Sequence, residues 1–329
     1  MSESFRFNVQ FPFADWASEE ARWGNRLQKG RYVNKQITAF PEWGDILRWQ
    51  MGSNPRGAEK KADKFRPDLV EGSSWLNASG DYAVWLGHAS FYISVNGVRM
   101  IVDPVLRSLP MIPRKVGMPC PMSDITGLDY ILLSHGHRDH LDTSSLKALL
   151  RANPRVQVLT GLDIGKDLSS LRFREVQEAG WYQQYQLDQD LTITYLPAHH
   201  WNRRFLTDMN RNLWGAFMLE GGGKRLYFAG DSAYLPWIYE EIGANYDSID
   251  LALMPIGAYE PDFIMKNSHM NPEEAAQAFR DTGASRIIPM HYGTFDLSDE
   301  PAGDPVRRIR KAVSEEQLVV PAVGQLVEF

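Results

Sequence analysis

The strongest chemical signal in this sequence is a run of metal-binding side chains within residues 134–142, Ser-His-Gly-His-Arg-Asp-His-Leu-Asp. His135, His137, Asp139 and His140 fall within six positions of one another. Neutral imidazoles and carboxylates are suitable zinc ligands. Without a cation, this cluster would crowd mutually repulsive polar groups together. The segment therefore predicts a metal site rather than a polar cap on a strand.

Three further candidate ligands each follow an apolar run that is typical of a buried strand. Buried strands hold their ends rigidly, while the loops beyond them are free to carry polar groups. We therefore expect four strand ends to supply one site. The pairs of run and ligand are Tyr130–Leu133 with His135, Leu191–Leu196 with His200, Arg225–Ala229 with Asp231, and Arg286–Met290 with His291.

The elements that must position these residues are short strands with helices between them. An Asn96-Gly97 turn signal joins two of the strands, and Asn271 followed by Pro272 predicts a helix start. The predicted helices are Thr143–Arg151, Pro272–Thr282 and Pro305–Ser314. Besides the four above, the predicted strands are Tyr82–Leu86, Phe91–Val95, Val98–Val102, Val156–Leu159, Trp214–Leu219 and Leu251–Met254.

The first 80 residues differ from the remainder of the chain. Prolines punctuate this segment and a polar, lysine-rich stretch lies within it, which predicts an irregular N-terminal extension over residues 1–80 and a catalytic domain over residues 81–329. Ten aromatic residues occur among the first 50, including Trp16, Trp23, Trp43 and Trp49. Two interpretations stay open: the aromatic residues pack as an arm on the core, or they contact a membrane surface.

Composition limits the class of partner and the compartment. A formal net charge of −6 argues against nucleic acid as the main partner, because phosphate binding usually needs a basic face. The single cysteine, Cys120, excludes an internal disulfide and favours a reducing compartment. Residues 1–15 lack the pattern of a secretory signal, and no apolar run approaches the roughly 18 residues of a spanning helix. We expect a cytoplasmic protein, with a peripheral position on the inner face of a membrane as the alternative.

The order of the candidate ligands resembles that of the metallo-β-lactamase superfamily: His-x-His-x-Asp-His, then a distant His, Asp and His. The resemblance implies an α/β fold, a four-layer αββα sandwich with metals at one edge. A narrower set of segments resembles the N-acylphosphatidylethanolamine-hydrolysing phospholipase D family. These segments are Trp85–Ser90, Pro197–Trp201, Phe228–Asp231, Pro255–Pro261, His269–Ala275 and His291–Phe295.

The resemblance also implies how two zinc ions per chain would be held. One zinc would be bound by His135, His137 and His200, and the other by Asp139, His140 and His291. Asp231 would bridge the two ions. Of the adjacent histidines His199 and His200, the family pattern Pro-Ala-x-His-Trp selects His200, and His199 is then expected to be a pocket-wall or hydrogen-bonded histidine and not a ligand.

Other polar residues near the predicted site receive supporting roles. We expect His88 and Asp103 to orient ligands rather than bind metal, since metal-bound histidines need hydrogen-bond partners. The resemblance suggests a catalytic or substrate-contacting role for His269, whereas a lone histidine in a surface loop is the alternative. Asp139 or Asp231 would orient a hydroxide shared by the two metals.

The function implied is a phosphodiesterase of phospholipase D type, in which the metal-bridging hydroxide attacks the phosphorus of an N-acylphosphatidylethanolamine-like lipid. The products would be a phosphatidic acid and an N-acylethanolamine. The alternatives are a zinc hydrolase of a soluble substrate, such as a lactone or a nucleotide phosphodiester, and a non-catalytic metal-binding or scaffold protein. A homodimer also stays open.

Overall fold

The strands of the described residues form one small sheet and two large ones. The computed structural model describes residues 3–36 and 43–329. In chain order the strands of these residues are β1 (Glu3–Arg6), β2 (Asn25–Gln28), β3 (Arg31–Tyr32), β4 (Tyr82–Gly87), β5 (Ser90–Val95), β6 (Val98–Val102), β7 (Tyr130–Leu133), β8 (Gln157–Gly161), β9 (Val176–Ala179), β10 (Gln183–Gln184), β11 (Thr192–Leu196), β12 (Ala216–Gly221), β13 (Lys224–Phe228), β14 (Leu251–Pro255), β15 (Arg286–Met290) and β16 (Leu326–Glu328).

The helices are short: three of those described precede β4, and the other five lie between strands of the large sheets. Short 3₁₀ turns occur at Ser74–Asn77, Met122–Asp124 and Ile164–Leu168. The α-helices of the described residues are α1 (Glu19–Arg22), α2 (Trp43–Met51), α3 (Gly57–Ala62), α4 (Thr143–Ala152), α5 (Pro236–Asn245), α6 (Asp262–Met265), α7 (Pro272–Thr282) and α8 (Asp304–Ala312).

Each large sheet combines antiparallel and parallel pairing. One has the strand order β16-β4-β5-β6-β7-β8-β9, and its strands are parallel from β6 to β9. The other has the order β10-β11-β12-β13-β14-β15 and is parallel from β13 to β15. Parallel neighbours end at the same edge of a sheet, so the loops that follow β6, β7, β13 and β15 can meet.

The two large sheets pack face to face, with helices on both outer faces. Apolar residues of both sheets share one core, which also includes residues of α5, α7 and α8. A second core lies between the seven-stranded sheet and α4, where Leu146 and Leu149 pack with Ile131. These four layers confirm the predicted αββα sandwich.

The continuous apolar runs of the sequence reflect burial of both faces of a strand. In β7, Tyr130 and Leu132 face the core between the sheets, while Ile131 and Leu133 face the core beneath α4. Successive side chains of a strand point to opposite faces, and both faces are covered here. The ten predicted strands and three predicted helices are present, with ends that differ by two residues or fewer.

Within the N-terminal extension, the structure contains a small sheet, β1-β2-β3, that the sequence analysis did not predict. Strand β1 is exposed along its whole length, so it has no alternation of apolar and polar residues that could indicate a strand. The ring of Trp16 packs edge-on against Tyr182 and Tyr246, whereas Trp23 is 55% exposed. The side chain of Trp43 lies outside the described residues.

Among residues 3–36 and 43–329, the helices are too short or too polar to cross a bilayer.

Candidate metal centre and cleft

The predicted ligands converge at one edge of the sandwich, where β7, β11, β13 and β15 end. Three imidazoles form a first group. His135 Nε2 lies 2.9 Å from His137 Nδ1, and His200 Nε2 lies 3.1 Å from that same His137 atom. The three nitrogens therefore face a common point, although His200 is 63 residues from His137 in the sequence.

A second group lies beside the first and contains Asp139, His140 and His291. The Nε2 atoms of His140 and His291 lie 3.7 and 3.4 Å from Asp139 Oδ2. Asp231 lies between the groups: its Oδ2 is 3.0 Å from His140 Nε2 and 4.0 Å from His135 Nε2. These two groups, with Asp231 between them, have the composition that the resemblance implied.

Hydrogen bonds from the far side of three rings, those of His135, His140 and His200, fix the orientation of these histidines. His140 Nδ1 donates to Asp103 Oδ2 at 2.7 Å, and His200 Nδ1 donates to the Ser268 carbonyl at 2.8 Å. His135 Nδ1 lies 2.9 Å from Ser134 Oγ, which in turn donates to Asp103 Oδ2 at 2.5 Å. These partners hold the Nε2 atoms toward the site, as the outer contacts of metal-bound histidines do.

Asp103 uses both carboxylate oxygens in this arrangement. Its Oδ1 accepts the Ser134 backbone N–H at 2.7 Å, while Oδ2 accepts from Ser134 Oγ and His140. Asp103 is fully buried and has a left-handed backbone, with φ of 43°. Such a backbone is uncommon for a non-glycine residue and persists only where the surroundings enforce it.

The loop that carries His135 and His137 is fastened by its backbone. The Gly136 N–H donates to Asn202 Oδ1 at 2.9 Å, and a Cβ on Gly136 would lie 2.8 Å from that oxygen, so a larger residue would displace the Asn202 side chain. Arg204 Nη1 donates to the carbonyls of Gly136 and Leu141 at 2.8 and 2.9 Å. The first ligand loop is therefore held by the segment that follows His200.

The remaining histidines also lie at or beside this edge. His88 Nε2 is 3.1 Å from Asp139 Oδ2, a contact that can orient the carboxylate, and it lies within 4.8 Å of the ligand atoms of the second group. His269 Nδ1 lies 3.8 Å from Asp231 Oδ2, which places His269 at the site and not in a remote loop. Among the described residues, His199 joins neither ligand group; it is buried, and its backbone N–H donates to Ser232 Oγ.

The carboxylates of Asp231 and Asp139 divide the imidazoles into neutral and charged ones. Burial opposes protonation of His140 and His291, but Asp231 and Asp139 outweigh it: the pKa of His140 rises well above its usual range and that of His291 rises to about 9. Burial lowers the pKa of His137 and His269 to about 4. Positive charge is therefore favoured beside the carboxylates of the second group.

The donor atoms fit divalent metal ions. Several of these atoms are buried without a hydrogen-bond partner in the described residues, among them His140 Nε2, His291 Nε2 and Asp231 Oδ1. Unpaired buried polar atoms are costly, and imidazole nitrogens that face one another gain most from a cation between them. Three nitrogen donors on one side, two nitrogens and a carboxylate on the other, and a shared carboxylate suit zinc-like ions.

An apolar cleft of about 700 Å³ opens onto this centre. His137, Asp139, Asp231 and His291 form its floor. A volume of roughly 300–1,000 Å³ is typical of sites that enclose a ligand of drug size. The walls come from α2, α6, the loop after β11 and the loops that follow β14, α6 and β15. They include Ile46, Trp49, Trp201, Arg203, Met209, Ala258, Ile264, Met265, Ser268, His269 and Leu297.

Sequence reasoning did not find Ser134, Asn202, Ser268 or the cleft walls. Ser134 directly precedes the first ligand, and Asn202 follows His200 by two residues, so proximity to ligands was an available signal for both. Ser268 acts through its backbone carbonyl, which leaves no signal in the residue type. Ile46 and Trp49 lie far from the other wall residues in the chain, and only the fold brings them together.

Comparison with known proteins agrees with this architecture. The profile of the family described as "Beta-lactamase superfamily domain" matches residues 98–292. An N-acyl-phosphatidylethanolamine-hydrolyzing phospholipase D of Caenorhabditis elegans is 30% identical over 79% of this chain and 80% of its own length. The mitochondrial protein of the same name from Saccharomyces cerevisiae is 32% identical over 69% of this chain and 51% of its own length. The structure of a metallo hydrolase from Ignicoccus hospitalis covers 76% of this chain and 98% of its own, at 22% identity and a TM-score of 0.58.

Metal binding should release about two protons per chain at pH 7, because metals bind neutral imidazole and must displace the protons of His140 and His291. Their raised pKa values mean that both rings are charged in the metal-free protein at this pH. Proton competition then weakens as the pH rises, so affinity should increase at least until about pH 9, the pKa of His291. Calorimetric titration with zinc in buffers of different ionisation enthalpy measures the release. A release near zero at pH 7 contradicts the charge assignment.

Asp103→Asn should weaken metal binding about 10- to 100-fold, as loss of an outer hydrogen-bond partner does at other metal sites. An amide has one acceptor oxygen, so it cannot serve both the Ser134 N–H and His140. Competition with a chelator of known affinity gives the change. The matched control is Asp163→Asn, which alters another buried carboxylate that accepts from Tyr32 and Arg6 at a distance from the centre. Equal metal affinity in the two variants would refute the positioning role.

Proposed function

Because this chain belongs to the beta-lactamase superfamily and is a metal-dependent hydrolase of that superfamily, we propose that it is a two-zinc phosphodiesterase. Its substrate would be an N-acylphosphatidylethanolamine-like lipid, cleaved in the manner of a phospholipase D. The observation that carries this proposal is the position of two ligand groups, joined by Asp231, on the floor of an apolar cleft. The phosphate of a lipid can therefore lie at the ligand groups while its acyl chain lies in the apolar cleft.

The ligand groups define what bound metals would do. His135, His137 and His200 would hold one zinc ion, and Asp139, His140 and His291 the other, with Asp231 shared. Bound there, two divalent cations would lower the pKa of water toward 7 and offset the negative charge that develops on a phosphate. Water adds to phosphorus, the bond from phosphorus to the ethanolamine oxygen breaks, and the departing oxygen takes a proton.

Asp139 is the residue best placed to orient the attacking water. Its side chain is 20% exposed and lines the cleft, whereas the side chain of Asp231 is 1% exposed. His88 contacts Asp139 Oδ2 at 3.1 Å and limits its rotation. A fixed carboxylate can accept a hydrogen bond from the water and hold one lone pair toward the phosphorus.

His269 would position the phosphate as a neutral hydrogen-bond donor. It lines the cleft beside Asp231, and burial lowers its pKa to about 4, so the ring is uncharged at pH 7. Nearby metal cations would lower that pKa further. A neutral imidazole is a poor general acid, but its N–H can hold a phosphate oxygen through the reaction.

The cleft favours a lipid over a small soluble substrate. Apart from the ligand floor, its walls are mainly apolar, with Ile46, Ile264 and Met265 among them. Burial of such surface against an acyl chain is favourable, at roughly 25 cal/mol per Å² of apolar area. A lactone or a nucleotide diester would leave much of this surface without a matching group.

The direct test incubates the zinc-loaded protein with N-acylphosphatidylethanolamine, phosphatidylcholine, a lactone and a nucleotide phosphodiester in water labelled with oxygen-18. We expect N-acylethanolamine and phosphatidic acid, with the label in the phosphate, because water attacks phosphorus. His137→Ala provides the blank, and metal content by mass spectrometry should be two zinc ions per chain. Turnover of the lactone or nucleotide alone would favour the soluble-substrate alternative. A metal-free native protein would favour the scaffold.

His269→Ala should lower kcat about 100-fold, the usual effect of removing one hydrogen-bond donor to developing charge. His269→Gln should recover most of that loss, because glutamine also offers an N–H donor. Metal content should stay unchanged in both. The pH profile of kcat is the discriminating measurement: a positioning role leaves its shape as in the wild type. Loss of the alkaline limb in His269→Gln would instead assign His269 to general acid catalysis.

A further inference from the structure

Exposed apolar side chains are concentrated around the mouth of the cleft. Five of the eleven large apolar residues that are exposed in the described part of the chain lie on the elements that form its walls. We call these five residues the rim: Leu47 and Met51 on α2, Phe263 on α6, and Phe205 and Leu206 in the loop after β11, with exposures between 45% and 81%. Large clusters of this kind usually mark an interaction surface.

The rim is continuous with the interior of the cleft. The three elements that carry the rim also carry apolar residues that line the cleft. These are Ile46 on α2, Ile264 and Met265 on α6, and Met209 in the loop after β11. Helices α2 and α6 also contact each other. An acyl chain that entered across the rim would pass from one apolar surface to the next without exposure to water.

Arginines flank the apolar residues of the rim. The guanidinium carbon of Arg48 lies 4.7 Å from the ring centre of Phe263, and that of Arg138 lies 5.9 Å from that of Phe205. Both arginines are exposed, in a chain whose formal net charge is −6. The nearby Asp262 carboxylate has a cation of its own beside it, since it lies 3.9 Å from Lys266 Nζ. Apolar side chains with cations at their edge match the interface of an anionic bilayer.

We propose that the rim docks the protein on an anionic phospholipid surface and thereby delivers the lipid directly into the cleft. The purpose of this docking rests on the proposed lipid substrate, but the binding can be measured without turnover. The surface overlaps only in part with the one expected from the sequence, where the candidates included Trp16, Trp23, Trp43 and Trp49. Trp49 lies on α2 and lines the cleft, whereas Trp16 packs on Tyr182 and neither Trp16 nor Trp23 lines the cleft.

The test measures partition of the zinc-loaded full chain onto vesicles of phosphatidylcholine with phosphatidylglycerol. Phe205→Ser/Leu206→Ser and Phe263→Ser should each weaken partition about tenfold, since insertion of these side chains into an apolar phase is favourable. Val9→Ser is the matched control, because Val9 is 84% exposed and Leu206 is 81% exposed, but Val9 does not lie on the rim elements. Unchanged metal content and unfolding temperature establish that the variants are folded.

The role of charge is tested with Arg48→Gln, compared with Arg151→Gln on α4. Arg48→Gln should lower partition onto the anionic vesicles about fivefold, with little change on phosphatidylcholine alone. Added salt should reduce this difference, because it screens exposed charges. Arg151→Gln should leave partition as in the wild type.

The outcomes separate docking from catalysis. Weaker partition in the rim variants alone supports the docking surface, even if N-acylphosphatidylethanolamine in detergent is not hydrolysed, in which case only the proposed function fails. Unaltered partition in the rim variants overturns the docking surface, as does a wild-type protein that does not bind vesicles. Sedimentation velocity adds one contrary outcome: if the rim variants convert a dimer to a monomer while vesicle binding persists, the rim is covered by a second copy of the chain.

Discussion

The interaction on which the rest of the site depends is the close approach of buried imidazoles to two buried carboxylates. All eight histidines of the chain lie at or beside one edge of the sandwich, and seven of them occur in the metal-compatible groups. Asp231 Oδ2 lies within 4.0 Å of a nitrogen of His135, His140, His200, His269 and His291. So many polar atoms in a buried space need positive charge among them, which protons supply at His140 and His291 and which metals would supply more completely.

This crowding explains the unusual backbone around the centre. His88, Asp103 and His291 all have positive φ values, between 43° and 63°. Each directly follows a strand or begins the turn after one, where the chain must change direction while its side chain still points to the site. Buried hydrogen bonds hold His88 and His291 in place: the His88 carbonyl accepts the His291 N–H, and the His88 N–H donates to Thr294 Oγ1. Packed strands thus impose conformations that an isolated segment would avoid.

The sequence predicted the elements whose signal is local and left out those whose structure depends on distant contacts. The spacing of His135 to His140 after β7 was sufficient to predict a metal site, and long apolar runs were sufficient to predict the central strands. Helix α5 was not predicted; it packs on α7 so closely that a Cβ on Gly243 would lie 2.2 Å from the Asp281 carbonyl. The strand β16 has three residues, too few for a periodic pattern. The Ser268 carbonyl and the cleft walls depend on tertiary contacts that residue types do not reveal.

The N-terminal segment contributes one wall of the cleft through α2. The family profile begins at residue 98, so it contains the ligands but not this helix. Trp49 Nε1 and Asn54 Nδ2 donate to Asp299 at 3.0 and 2.7 Å, which ties α2 and the residues after it to the loop that follows His291. The candidate metal ligands therefore lie within the residues that match the superfamily profile, whereas one wall of the cleft comes from a segment outside that range. For this reason, membership of the superfamily does not by itself specify the substrate. The residues that select the substrate should be sought in α2, α6 and the loop after β11.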